Sequence, residues 1–149
     1  MFEQIVVGLD GSRVSEIALK TGSDLARNLA VPLRLVRVAD LAVVPWGANE
    51  AAAAYAELSK EMVREKDEAT RYLEMVAQPL RDSGMAVTTE VRSGFAAREL
   101  AACAGPGDLL VVASQGRHGL ERLLLGSVAE EVAEQSRASV LIVRETKGG

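Results

Sequence analysis

The chain has 149 residues, 48% hydrophobic and 26% charged, which is ordinary for one soluble domain with a substantial core. Its net charge of −4 argues against nonspecific nucleic-acid binding, because neutralising phosphates takes a basic face. Cys103 is the single cysteine, which excludes an internal disulfide and a cysteine-based zinc site.

The opening "MFEQIVVGLDGS" has no basic region and no long apolar segment, so it does not read as a signal peptide. No run reaches the roughly 18 apolar residues that a membrane span needs. The expectation is a cytoplasmic protein with no membrane contact.

The first strand is "QIVVGL", Gln4 to Leu9, a continuous apolar run. A helix follows from Val14 to Leu29, with Val14, Ile17, Ala18, Thr21, Leu25 and Leu29 stepping by three and four, and with Ser12 as its N-cap. "LRLVRV", Leu33 to Val38, is the second strand, with arginines alternating in it. "ADLAVVPWGANEAAAAY" is the least regular part and reads as a loop, a candidate for mobility. The next helix runs through Tyr55, Leu58, Met62, Ala69, Leu73, Val76 and Leu80, and Pro79 is expected to bend it or end it early. Met62, Met75 and Met85 are assigned to the core or its margin.

"MAVTTEVR", Met85 to Arg92, alternates like a half-exposed strand. "AARELAACA" fits a short helix, stopped by "GPGD". "DLLVVA", Asp108 to Ala113, is again apolar. The last helix starts at Ser127 with Val128, Val132 and Ala133 on one face, and "SVLIVR", Ser139 to Arg144, is the last strand. Short apolar strands alternating with helices indicate an open α/β sheet, its central strands buried on both faces. Right-handed crossovers restrict the topology. The expected fold is a single domain, residues 1 to 149, with five parallel strands in the order 3-2-1-4-5 and helices on both faces.

In such a sheet a ligand sits beyond the carboxyl ends of the strands, where neighbouring connections diverge. With this order that point lies between the first and fourth strands. The loops there, "GLDGS" and "ASQGRHG", are the most glycine-marked in the chain. Glycines let backbone N–H groups approach an anion, and a helix N-terminus adds unpaired donors. Gly116, Gly126 and the Ser127 hydroxyl are therefore candidate phosphate ligands. Asp10 is a candidate acceptor for ribose hydroxyls or ligand for a metal ion, and the backbone of Val38 a candidate reader of an adenine edge.

Plainer readings stand beside these. Ser127-x-x-Glu130 is also a capping box. Gly8, Asp10 and Gly11 also suit a simple turn. Arg117 and Arg122 are surface charges or phosphate partners, and His118 is a loop histidine with no triad near it. There is no G-x-x-x-x-G-K-[ST], no G-x-G-x-x-G and no G-x-S-x-G. Nothing specifies a nucleophile with an activating base.

"IVVGLDGS", "GRHGLERLLLGSVAEEV" and the final "SVLIVR" resemble the universal stress protein family, over nearly the whole chain. In its nucleotide-binding branch the pattern is Gly, two residues, Gly, nine residues, Gly, then Ser or Thr. Gly116 and Gly126-Ser127 match it; Ala113 stands where the first glycine belongs. The resemblance implies the adenine-nucleotide alpha-hydrolase-like fold and an ATP site, with Mg or Mn as companion ion. Leu9 and Asp10 would face ribose and phosphate, and Val38 and Ala113 would contribute backbone. Gly116, Arg117, Gly126, Ser127 and Val128 would surround the phosphates. It also implies a homodimer paired through the last strand, and a sensor or regulator with a regulatory protein partner. Residues Ala39 to Asn49 would form a lid. At most, slow ATP hydrolysis or autophosphorylation is expected. The competing expectation, which Ala113 favours, is a nucleotide-free interaction module on the same fold.

Overall fold

The computed structural model describes residues 1–40, 51–114 and 125–145. Along the chain run β1 (Gln4–Gly8), α1 (Arg13–Leu29), β2 (Leu33–Asp40), α2 (Ala51–Asp82), β3 (Val87–Gly94), α3 (Ala96–Ala102), β4 (Asp108–Ala113), α4 (Ser127–Gln135) and β5 (Ser139–Val143). The strands form one parallel sheet in the order β3-β2-β1-β4-β5, as the alternation of elements predicts.

The order follows from handedness. From β1 to β3 the chain steps one way across the sheet, so right-handed crossovers lay α1 and α2 on one face. It then jumps back to β4 and steps outward to β5, which lays α3 and α4 on the other. Two apolar layers result. One joins Ile5, Val7, Leu35 and Val111 to Ala18 and Ala26 of α1 and Leu73 and Ala77 of α2. The other joins Val6, Val36 and Leu110 to Ala97 and Leu100 of α3 and Ala129 and Val132 of α4. β1 and β4 are therefore apolar on both faces, which is why they read as unbroken runs.

Ser12 caps α1, its Oγ accepting from the Ser15 N–H at 3.2 Å. The buried stripe of α1 is Ser15, Ala18, Gly22, Ser23 and Ala26, smaller residues than the apolar pattern singles out. Small side chains there let the helix axis approach the sheet. Ala30 ends the helix in the left-handed region, at φ 54°.

Three expectations need correction. α2 begins at Ala51, so "AAAAY" belongs to the helix, and Ala39 and Asp40 belong to β2; 41–50, most of the expected loop and lid, lies outside the described residues. Pro79 neither ends nor shortens α2: the Ser83 N–H still donates to the Pro79 carbonyl at 3.1 Å. What Pro79 removes is its own N–H bond to the Met75 carbonyl, and the helix continues past that gap to Asp82. The stop is Gly84, at φ 95°, with the Met85 N–H closing onto the Leu80 carbonyl. Met85 is thereby spent on the helix end, and β3 starts two residues later than its alternation suggests. Third, Met75 is 66% exposed and Val128 37%; the inner face of α4 is Ala129 and Val132, while Ala133 points outward.

Candidate functional site

The site is built at the carboxyl edge of β1, β2 and β4. β1 and β4 are paired in register up to Val7 and Val111, so Leu9 and Ala113 emerge side by side two residues further on. Gly8 lets α3 pack closely: a Cβ there would come within 2.9 Å of a Leu100 methyl, which would have to shift. Leu9 donates its N–H to the Val36 carbonyl at 2.8 Å and buries its side chain in the core, so only its backbone can serve a ligand.

The chain then turns sharply. Oδ1 of Asp10 accepts from the Ser12 N–H at 2.8 Å, an Asx turn, and Gly11 takes φ 84°, a conformation that favours glycine. The Ser15 hydroxyl donates to the Ser12 carbonyl at 2.8 Å and lies 3.4 Å from the Asp10 N–H. The turn reading of Asp10 is therefore realised. One carboxylate oxygen shapes the loop, and that fixes where the acid sits.

At the end of β4, the Ser114 N–H donates to the Val143 carbonyl of β5 at 2.8 Å. The Ser114 carbonyl accepts from the Gly126 N–H at 2.6 Å, which clamps the start of α4 against the end of β4. Gly126 is the N-cap of α4, with φ −61° and ψ 153°, and among the described residues no side chain caps the helix. Ser127 is thus the first helical residue, and the Ser127-x-x-Glu130 capping box is not made. A helix start leaves four N–H groups without intrahelical partners. Here Gly126 spends its own on Ser114, which leaves Ser127, Val128 and Ala129 to offer theirs, with the positive end of the helix dipole behind them.

Ala113 is not among the residues with positive φ, so its methyl imposes no backbone strain, and it packs against the core layer under α1. Val38 is half-buried at the end of β2, packed on the α3–α4 layer. Seven of the nine residues expected at the site, from Leu9, Asp10 and Val38 to Ala113, Gly126, Ser127 and Val128, thus belong to the carboxyl ends of three adjacent strands and the helix start beside them. Gly116 and Arg117 lie outside the described residues, as do His118 and Arg122.

One neighbour of the site has only a faint signal in the sequence, the alternation of arginines in "LRLVRV". Arg37 lies on the same face of β2 as Leu33 and Leu35. Its guanidinium carbon sits 4.9 Å from the centre of the Tyr72 ring, and Nη1 lies 3.2 Å from where a Gly11 Cβ would stand. The Tyr72 hydroxyl donates to Glu16 of α1 at 3.4 Å. Burial, then the Glu16 charge, raises the Tyr72 pKa, with Arg37 opposing, so the phenol stays protonated as a donor. Among the described residues, no three His, Cys, Asp or Glu side chains cluster to hold a metal ion.

A sequence model of the universal stress protein family matches residues 1–144. The chain belongs to that family. Among its relatives, the universal stress protein MJ0531 of Methanocaldococcus jannaschii is 33% identical over 149 residues, covering 99% of this chain and 85% of its own. The solved structure of the hypothetical protein MJ0577 superposes with a TM-score of 0.80 at 26% identity, over 99% of each chain. Another universal stress protein, solved in complex with cAMP, superposes at 0.57 with 24% identity, over 96% of this chain and 97% of that one. At that identity the likeness is one of fold. It places the present sheet order within the universal stress protein architecture.

Proposed function

We propose that this universal stress protein binds ATP at the carboxyl ends of β1 and β4 and acts as a dimeric sensor or regulator in the cytoplasm. One observation carries the reading: the Asx turn holding Asp10 and the uncapped start of α4 lie on neighbouring strands. The N–H groups of Ser127, Val128 and Ala129 suit phosphate oxygens, and a glycine N-cap leaves no side chain in the way. Asp10 would accept from ribose hydroxyls, and the Val38 backbone would meet the adenine edge. The cAMP complex of a fold relative supports an adenine ligand on this architecture. Asp10 offers a single carboxylate, so a Mg or Mn ion would be carried chiefly by the nucleotide's own phosphates.

β5 supports the dimer. It is a sheet edge whose Val140, Leu141, Ile142 and Val143 are all half-exposed, and an open apolar edge is a liability unless paired. Two-fold pairing of β5 with its copy closes it. ATP would act by favouring one conformational state for a regulatory partner.

Equilibrium binding of labelled ATP to the purified protein tests the reading, with saturation expected. The variant Gly126→Val adds bulk at the clamp without backbone strain, since φ there is −61°. It should weaken binding about tenfold or more, the scale of losing a charge-assisted contact or two. Absence of saturable binding in the wild type would favour the second reading, a nucleotide-free interaction module. The feature on its side is Ala113 in place of the family pattern's first glycine, although the φ and core packing of Ala113 remove the steric part of that argument.

A further inference from the structure

We infer that Arg37 and Tyr72 are positioning residues that hold the Asp10–Ser12 turn in its ligand-facing geometry, and so tie that turn to α2. The inference rests on the nucleotide reading for its purpose, but its structural content stands apart from it. The turn shapes itself locally through the bonds from Asp10 to Ser12 and from Ser12 to Ser15. Those bonds fix its form; how it lies over the sheet depends also on contacts from outside the turn. Gly11, at the tip, has no side chain with which to anchor.

Arg37 supplies one such contact from β2. Nη1, Nη2 and Cζ lie 3.2, 3.4 and 3.5 Å from the position of a Gly11 Cβ, so the guanidinium packs closely over the tip of the turn and a side chain there would press on it. Gly11 is favoured there by its φ, and having no side chain it leaves room for this contact. Beneath the guanidinium lies the Tyr72 ring, and the Tyr72 hydroxyl reaches Glu16 in the first turn of α1. The stack therefore runs from the turn through the end of β2 to α2 and back to α1. Arg34 and Arg92 are committed to ion pairs with Glu90. Among the described residues Arg37 has no such carboxylate, and its fixed neighbours are the aromatic ring and the glycine backbone. A planar guanidinium can fill both contacts at once, one on each face; an ammonium cannot.

The test uses Arg37→Met, which keeps the stem, and Tyr72→Leu, which keeps apolar packing. In nucleotide-free protein, hydrogen exchange at the Ser12 amide reports directly on its bond to Asp10. Both variants should lose about tenfold of that protection relative to the core strands, the scale of one weakened hydrogen bond to a charged group. Unchanged Ser12 protection in both variants would overturn the inference, whatever the protein binds. The second arm is the ratio of affinities for ATP and 2′,3′-dideoxy-ATP. The wild type should prefer ATP by roughly tenfold. Asp10→Asn, Arg37→Met and Tyr72→Leu should each bring the ratio towards one, which a general loss of stability does not do. A ratio that falls in Asp10→Asn and stays at the wild-type value in both stack variants would also overturn it. A wild type that makes no distinction would instead count against the ribose role of Asp10, with the exchange arm still deciding the inference.

Discussion

At Gly22 two effects of opposite sign meet. A glycine inside a helix costs roughly 0.5–1 kcal/mol relative to alanine, so replacement by alanine should help on propensity alone. But a Cβ at Gly22 would stand 2.4 Å from a methyl of Val7, which is fully buried and branched at Cβ, with little freedom to turn away. Overpacking of this kind costs about 1–3 kcal/mol. The clash wins, and Gly22→Ala should destabilise the protein by roughly 1–2 kcal/mol, read as a lower urea midpoint at unchanged slope. Gly22 is hard to single out in a sequence, because helical periodicity weights large apolar residues and passes over the small ones that set the closest approach. Ala113 shows the converse. Its departure from the family pattern stands out at once, yet its negative φ and core-facing methyl appear only when the chain is folded.

Between elements, charge does on one face of β2 and β3 what apolar packing does on the other. Under α3, Glu90 accepts from Arg34 and Arg92, each at 2.6 Å, and Arg92 also reaches Glu99 at 3.2 Å. Arg34 continues the network to the Cys103 carbonyl at the end of α3. Burial by itself would raise the Glu90 pKa, but the hydrogen bonds from Arg92 and Arg34 outweigh it and hold the carboxyl below its ordinary 4.5. The folded-state value therefore lies below the unfolded one. The network's stabilisation is complete above about pH 4.5 and is lost as pH falls through the folded value. Glu90→Gln should remove part of this acid limb in a stability-against-pH curve. It should also cost on the order of 1 kcal/mol at neutral pH, kept small by partial access of solvent to the network. Cys103 lies beside this network, but it is burial that pushes its thiol up to about 11, with Arg34 and Arg92 opposing, so it sits as a protonated core residue. None of this pairing is visible as a motif, since Arg34, Glu90 and Glu99 are brought together by β2–β3 register and by the return of α3. The extent of α2 escaped for another reason. Pro79 is a strong local breaker in a sequence, yet α2 runs through it to Asp82.

At the scale of the whole molecule, the two sheet edges differ in kind. β3 carries ion-paired charges on the face under α3, whereas β5 ends the sheet with half-exposed apolar residues, which is the edge suited to a copy of itself. The architecture was legible because so few right-handed arrangements accommodate this order of strands and helices. With the order in hand, the meeting of "GLDGS" and the start of α4 at one end of the sheet followed. What stayed hidden was geometry finer than topology: that the Gly126 N–H is spent on Ser114, moving the available donors one residue along to Ser127, Val128 and Ala129, and that Arg37 reaches Gly11 from a strand read only for its alternation. The central claim is that a polyphosphate is received by main-chain groups at the ends of β1 and β4. Titration of 15N-labelled protein with Mg-ATP, followed amide by amide, tests it most directly. Saturating shifts should concentrate at Asp10, Gly11, Val38, Ser127, Val128 and Ala129, while amides of α3 and β3 stay in place. Saturation with those amides unmoved, or no response at millimolar nucleotide, would contradict the claim.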